Sequence, residues 1–201
     1  MYQISSTNND YEMIDLAIEV AAKAHQRQVR KETDIPYITH PLSVGIILAK
    51  AGCCDDVIIA GILHDTVEDT SITLDYIREK FGDKVATMVQ GASEPDKSMS
   101  WEDRKEHTIE FLKTAPLEIR LVTCADKLHN IRTIAADYAK IGDEVWGRFN
   151  RGKEDQEWYY KKLVDSLGNN LETLDPSYES LFQAFRREVE KLFGKSDILK
   201  K

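Results

Sequence analysis

With 201 residues, 42% of them hydrophobic and 31% charged, the chain can bury one sizeable core and has the composition of a globular protein, not a disordered or fibrous one. A formal charge of −8 excludes a broad nucleic-acid-binding face, which needs clustered Lys and Arg, while leaving room for a small anionic ligand where local charge permits. No run approaches the roughly 18 apolar residues of a membrane span and no basic leader precedes an apolar stretch, so a cytoplasmic protein with no membrane contact is expected.

In chain order, apolar residues at helical spacing (Ile14, Ala17, Ile18, Ala21, Ala22) predict a helix over residues 11–28, with Asp10 as its N-cap. A loop, "RKETDIPYITHP", follows, and Pro41 suits the first turn of a second helix that Gly52 ends. Asp55 or Asp56 then caps a third helix running through "DVIIAGILHDTVEDT". Two short amphipathic helices over residues 73–81 and 83–91 are separated by Gly82. Ser100 with Asp103 forms a capping box for "WEDRKEHTIEFLKT", and a long helix spans residues 116–140. The C-terminal third carries two further helical segments, "DEVWGRFNRGKEDQEWYYKKLVDSL" and "SYESLFQAFRREVEKLFG". Alternating strand patterns and repeats are absent, so the expected class is all-α, as one domain over residues 1–201. Cys53, Cys54 and Cys124 have no disulfide or CxxC pattern and read as reduced, structural residues.

Polar residues interrupt the apolar stripes at His40, at "LHDTVEDT" (residues 63–70) and at Asp126 in "CADKLHN". On one continuous helix, His64/Glu68 and Asp65/Asp69 are four apart and Asp65/Glu68 three apart, a contiguous surface over little more than a turn. Three clustered carboxylates beside a buried stripe repel one another, and a bound cation removes that cost. Imidazole suits zinc, iron or manganese, and carboxylates shift the choice toward harder ions. Two His and two Asp leave coordination positions for a water and a phosphate oxygen, the arrangement of a hydrolytic site. Taken singly the features are ordinary: a His-Asp pair arises by chance, and "VEDT" alone reads as a solvated helix end. The ordered combination is what points to a metal.

The segments "AHQRQVRKETDIPYITHP", "AGILHDTVEDTSITLDYIREKFG" and "CADKLHNIRT" resemble the HD-domain superfamily of metal-dependent phosphohydrolases, and within it the hydrolase domain of RelA/SpoT homologues and small alarmone hydrolases. The resemblance covers about residues 16–135, leaving a helical extension of about residues 142–201. It implies an HD-domain helical bundle with a metal site between helices. The activity it implies is manganese-dependent removal of the 3′-pyrophosphate of ppGpp or pppGpp, giving GDP or GTP and pyrophosphate. Matched position by position, it makes His40, His64, Asp65 and Asp126 the metal ligands. Glu68 and Asp69 become the pair that orients or deprotonates water. Arg30 and Lys31 become contacts near the base, and Asn130 and Thr133 contacts near ribose and phosphate, with Lys127 and Arg132 as weaker candidates. The chain ends at residue 201, so the synthetase and regulatory domains of the long bifunctional enzymes are not expected. The loop "ASEPDKSMS" departs from the family pattern. Arg148, Lys153, Tyr159, Tyr160 and Lys161 are candidates to border the nucleotide, although a helix packing its aromatics into the core is the preferred reading. The rivals are an HD phosphohydrolase for another nucleotide and a non-catalytic alarmone-binding module.

Overall fold

A computed structural model describes residues 7–94, 98–169 and 175–194. Among them no strand occurs beyond one isolated antiparallel bridge, Val29 to Pro36, so the architecture is all-α. None of the described helices is long and apolar enough to cross a membrane. The chain divides into two compact units, residues 1–93 and 94–201.

In the first unit α1 (Thr7–Ala24), α2 (Thr39–Lys50), α3 (Asp55–Leu63), α4 (Thr66–Asp69) and α5 (Leu74–Ala92) follow one another. Every residue of α3 from Val57 to Leu63 is buried, because α1, α2 and α5 all pack against it. A helix that is apolar on all sides has to be central in this way. Two glycines let α2 and α3 come close. A Cβ on Gly61 would lie 2.3 Å from Leu48 Cδ1, and one on Gly45 would lie 2.7 Å from Ile62 Cγ1.

Several boundaries differ from expectation. The first helix begins at Thr7 and ends at Ala24, so Asp10 sits inside it and is not its N-cap. Cys54, with extended φ/ψ, occupies the N-cap position of α3, and Asp55 and Asp56 fall in the first turn, where carboxylates favour the helix dipole. The expected continuous helix over "DVIIAGILHDTVEDT" breaks at His64–Asp65. Side chains there compete for the carbonyls of α3: His64 Nδ1 lies 2.8 Å from Gly61 O, and Thr66 Oγ1 donates to Leu63 O at 2.7 Å. Glu68 and Asp69 therefore ride on a separate short turn. Gly82, at φ +86, kinks α5 into the two expected segments, and Thr73 caps it by accepting from the backbone N–H of Tyr76.

The second unit contains α6 (Trp101–Leu112), α7 (Leu117–Ile141), a 3₁₀ helix (Gly142–Arg148), α8 (Lys153–Leu167) and α9 (Pro176–Phe193). Ser100 caps α6 as expected, accepting from the N–H of Asp103. The segment expected as one helix after residue 142 is instead the 3₁₀ helix, a short connection and α8. Gly142, at φ +61, ends α7, and Gly152 precedes α8. The α9 stripe of Leu181, Phe182, Phe185 and Val189 is buried, with α7 and α8 packed against this helix. Arg120 is buried on α7, and its Nη2 donates to Leu167 O at 2.5 Å and Asn169 O at 2.6 Å, satisfying carbonyls at the end of α8. Cys53 and Cys124 are buried, and Cys54 is exposed; all three are free thiols.

Candidate metal centre

His40 reaches its position because the chain turns tightly into α2. The His40 N–H bonds to Tyr37 O at 2.9 Å, and Thr39 Oγ1 donates to Pro36 O at 2.9 Å. His64 and Asp65 stand at the break after α3. One ligand atom from each of His40, His64 and Asp65 lies within 4.8 Å of the others. Both imidazoles are almost wholly buried, at 1% and 2% exposure, and the Asp65 side chain is 17% exposed.

A carbonyl only accepts, so the contact from His64 Nδ1 to Gly61 O fixes the proton on Nδ1 and leaves the Nε2 lone pair for a metal. Asp65 Oδ2 lies 3.1 Å from His64 Nε2 and 3.5 Å from His40 Nε2. An imidazole lone pair and a carboxylate oxygen this close repel unless a proton or metal ion lies among them. Two buried imidazoles and a carboxylate thus fit a divalent ion of the zinc, iron or manganese type. Glu68 is half-buried and Asp69 exposed on α4, one turn beyond. In the loop before α2, the Arg30 guanidinium lies 5.7 Å from the Tyr37 ring centroid, and Lys31 is exposed.

Asp126 belongs to the second unit and is 7% exposed on α7. Its Oδ1 accepts from Asn130 Nδ2 at 2.6 Å, and its Oδ2 lies 2.8 Å from Lys127 Nζ. Burial alone would lower the Lys127 pKa, but Asp126, Tyr159 and Tyr160 outweigh it and hold the ammonium well above its usual range. The same unit places Lys105 in an ion pair with Glu94, its Nζ 4.7 Å from the Tyr159 ring centroid. Thr133 donates to its own helix at His129 O, and Arg132 pairs with Glu188 at 3.3 Å. Tyr159 and Tyr160 are core residues, Lys161 pairs with Glu157, and Arg148 pairs with Asp137, which matches the preferred packing reading of that segment.

Burial tends to raise the Glu94 pKa, yet Lys105, Lys127 and Arg104 overcome it and hold the carboxyl below its ordinary 4.5. A carboxyl lowered in the folded state stabilises the fold above the ordinary value, and that contribution is lost as pH falls through the lower folded value. Glu94→Gln is therefore expected to lower unfolding free energy by about 2 kcal/mol at pH 7, the scale of hydrogen bonds to charged groups. The gap between the two proteins in urea titrations narrows below pH 4.5. A gap that persisted unchanged into acid would count against an ionised Glu94.

Sequence reading overlooked Tyr37 and Gln28. The Tyr37 hydroxyl donates to Asp65 Oδ2 at 2.6 Å, and Gln28 Nε2 donates to Asp69 O at 2.7 Å. Asn130, expected near ribose and phosphate, stands four residues from Asp126 on α7, a spacing that places the two side chains together.

Comparison with known proteins gives the geometry a lineage. The family described as "HD domain" matches residues 17–154. The human protein named guanosine-3′,5′-bis(diphosphate) 3′-pyrophosphohydrolase MESH1 is 35% identical over 170 residues, 83% of this chain and 91% of its own length. A Streptomyces coelicolor protein named GTP pyrophosphokinase is 41% identical over 185 residues, 89% of this chain. This chain spans only 16% to 21% of the length of the bacterial pyrophosphokinases it matches. Among solved structures, lmo0812 from Listeria monocytogenes EGD-e superposes with a TM-score of 0.71 at 40% identity, over 78% of this chain and 99% of that one. A structure described as a metazoan ortholog of SpoT that hydrolyzes ppGpp gives a TM-score of 0.69 at 26% identity, over 94% and 97%. All-α architecture, a buried His/His-Asp cluster and these relatives agree: the chain belongs to the HD-domain family, and its relatives include (p)ppGpp 3′-pyrophosphohydrolases.

Proposed function

We propose that the protein is a manganese-dependent hydrolase that removes the 3′-pyrophosphate of ppGpp or pppGpp, yielding GDP or GTP and pyrophosphate. The observation that carries this reading is the convergence of His40, His64 and Asp65, with the His64 tautomer set by Gly61 O so that Nε2 faces the cluster. The relatives whose length this chain nearly spans are named for that reaction, at 91% coverage for the human protein. The longer relatives, named either GTP pyrophosphokinase or 3′-pyrophosphohydrolase, are matched over about a fifth of their length.

In this reading His40, His64, Asp65 and, by the order of the family motif, Asp126 hold the ion. Once bound, a divalent ion supplies Lewis acidity toward a phosphate oxygen and lowers the pKa of a water. Glu68, assisted by Asp69, would orient a water and take its proton as the water attacks the phosphorus attached to the ribose 3′-oxygen. The P–O3′ bond breaks, the water oxygen leaves on pyrophosphate, and the 3′-oxygen gains a proton. Arg30 and Lys31 hold the nucleotide near its base. Lys127, Asn130, Arg132 and Thr133 lie on α7, where Lys127 and Asn130 also fix both oxygens of Asp126.

The test is pyrophosphate release by chelator-treated protein reloaded with manganese, magnesium or zinc, against ppGpp, pppGpp, an adenine alarmone and a 3′-phosphorylated nucleotide. Stoichiometric pyrophosphate and GDP from ppGpp, largest with manganese, is the expected result. Cleavage of another nucleotide with ppGpp untouched would overturn the base assignment and keep the hydrolytic one. Binding of ppGpp without turnover would leave a non-catalytic module.

A further inference from the structure

The carboxylate of Asp65 is approached from a side that no sequence motif indicated. Its Oδ2, the oxygen facing both imidazoles, accepts the hydroxyl proton of Tyr37 at 2.6 Å. An O–H donor on a carboxylate at that distance is in the strong, charge-assisted range. We propose that Tyr37 is a positioning residue of the metal centre, its hydroxyl fixing the Asp65 carboxylate for the ion and its ring seating the Arg30 guanidinium. The proposal rests on the metal-centre reading above and adds to it a residue with two separable jobs.

The ring is held from several directions. His25 packs against it at a tilt of 38°, 4.9 Å between centroids, and His40 meets it edge-on at 5.9 Å. The Arg30 guanidinium lies 5.7 Å from the ring centroid, within range of a cation–π contact. The loop carrying both residues is not slack. Arg30 N–H bonds to Ile35 O at 2.8 Å, Tyr37 N–H bonds to Gln28 O at 2.9 Å, and Val29 bridges Pro36. Glu32 takes the left-handed conformation, φ +57, that closes the turn. At its base Gln28 Nε2 reaches Asp69 O, so its Oε1 faces His25 Nδ1 at 2.6 Å. The loop thus grips the 65–69 turn at both ends: Tyr37 on the side chain of Asp65 and Gln28 on the backbone of Asp69. A nucleotide that engaged Arg30 would bear on a side chain that also touches a metal ligand.

Removing the hydroxyl alone and removing the ring as well should have different signatures. Groups that hydrogen-bond metal-ligating carboxylates typically contribute about 10- to 100-fold in metal affinity or activity. Tyr37→Phe is therefore expected to weaken manganese binding by about 10-fold or more, read by Mn2+ electron paramagnetic resonance titration without nucleotide. Its KM for ppGpp at saturating manganese should stay at the wild-type value. Tyr37→Leu, which also removes the seat of Arg30, should weaken manganese equally and raise KM in addition. Asp65→Ala serves as the reference for the metal reading. If it binds manganese like wild type, the metal centre itself is wrong. If Asp65→Ala loses manganese while Tyr37→Phe binds it with the wild-type constant, the role of Tyr37 is overturned and the metal centre stands. A lower Tm for Tyr37→Phe with unchanged manganese affinity would mark Tyr37 as purely structural and equally overturn the proposal.

Discussion

Asp65→Ala is expected to abolish manganese binding and hydrolysis together while leaving the helical fold intact. Asp65 is the one cluster member on which His40, His64 and Tyr37 all converge, through contacts of 3.5, 3.1 and 2.6 Å to a single oxygen. Loss of a group that merely supports a ligand costs up to about 100-fold, so loss of the ligand itself sets at least that scale. Of the cluster only two buried imidazoles would remain, and the ion would lose one of its two proposed carboxylate ligands. Removal of the carboxylate also ends the crowding of an oxygen against two ring nitrogens, so stability without metal should change little or rise. Isothermal titration with Mn2+, thermal melts with and without metal, and a pyrophosphate assay check the three parts. Wild-type metal affinity in this variant would refute the centre as described.

Glu68→Gln carries the second large effect and the opposite metal signature. If Glu68 takes the proton of the attacking water, the amide should depress kcat by about 10²- to 10⁴-fold, the usual contribution of a positioned acid or base. Manganese affinity and KM should remain near wild type, because the side chain sits on α4 outside the cluster of ligand atoms. Asp69→Asn should cost less. Asp69 is exposed whereas Glu68 is half-buried, so the surroundings of Asp69 hold its side chain in place less. A fall in kcat/KM that followed KM alone would move Glu68 from proton transfer to binding. Loss of metal in Glu68→Gln would instead make it a ligand.

How much of this was legible in the chain depended on the kind of signal. The buried central helix α3 was written in its unbroken apolar run, and the kink at Gly82 and the cap at Ser100 were written in their residue types. The cluster of His40 with His64 and Asp65 was legible from ligand chemistry and motif order. The break after Leu63 was not. Periodicity across residues 55–69 allows one helix, and only the competition of His64 and Thr66 for the carbonyls of Gly61 and Leu63 re-aims the turn. Tyr37 was hidden for a related reason. It lies in a loop, 28 positions from Asp65 in sequence, where no period relates two side chains. The pairing of Asn130 with Asp126 was open to reading as well, since a spacing of four on a helix brings two side chains together.

The close approach of α2 to α3 at Gly45 and Gly61 has a thermodynamic consequence. His40 stands on α2 and His64 caps α3, two helices whose contact leaves no room even for a methyl group without displacing Ile62 or Leu48. The imidazoles are therefore set by the core before any ion arrives, unlike sites in which metal binding and folding are one event. Calorimetry of manganese addition should show a heat-capacity change near zero, because almost no apolar surface remains to be buried. The far-ultraviolet circular dichroism of the chelated protein should match that of the loaded one.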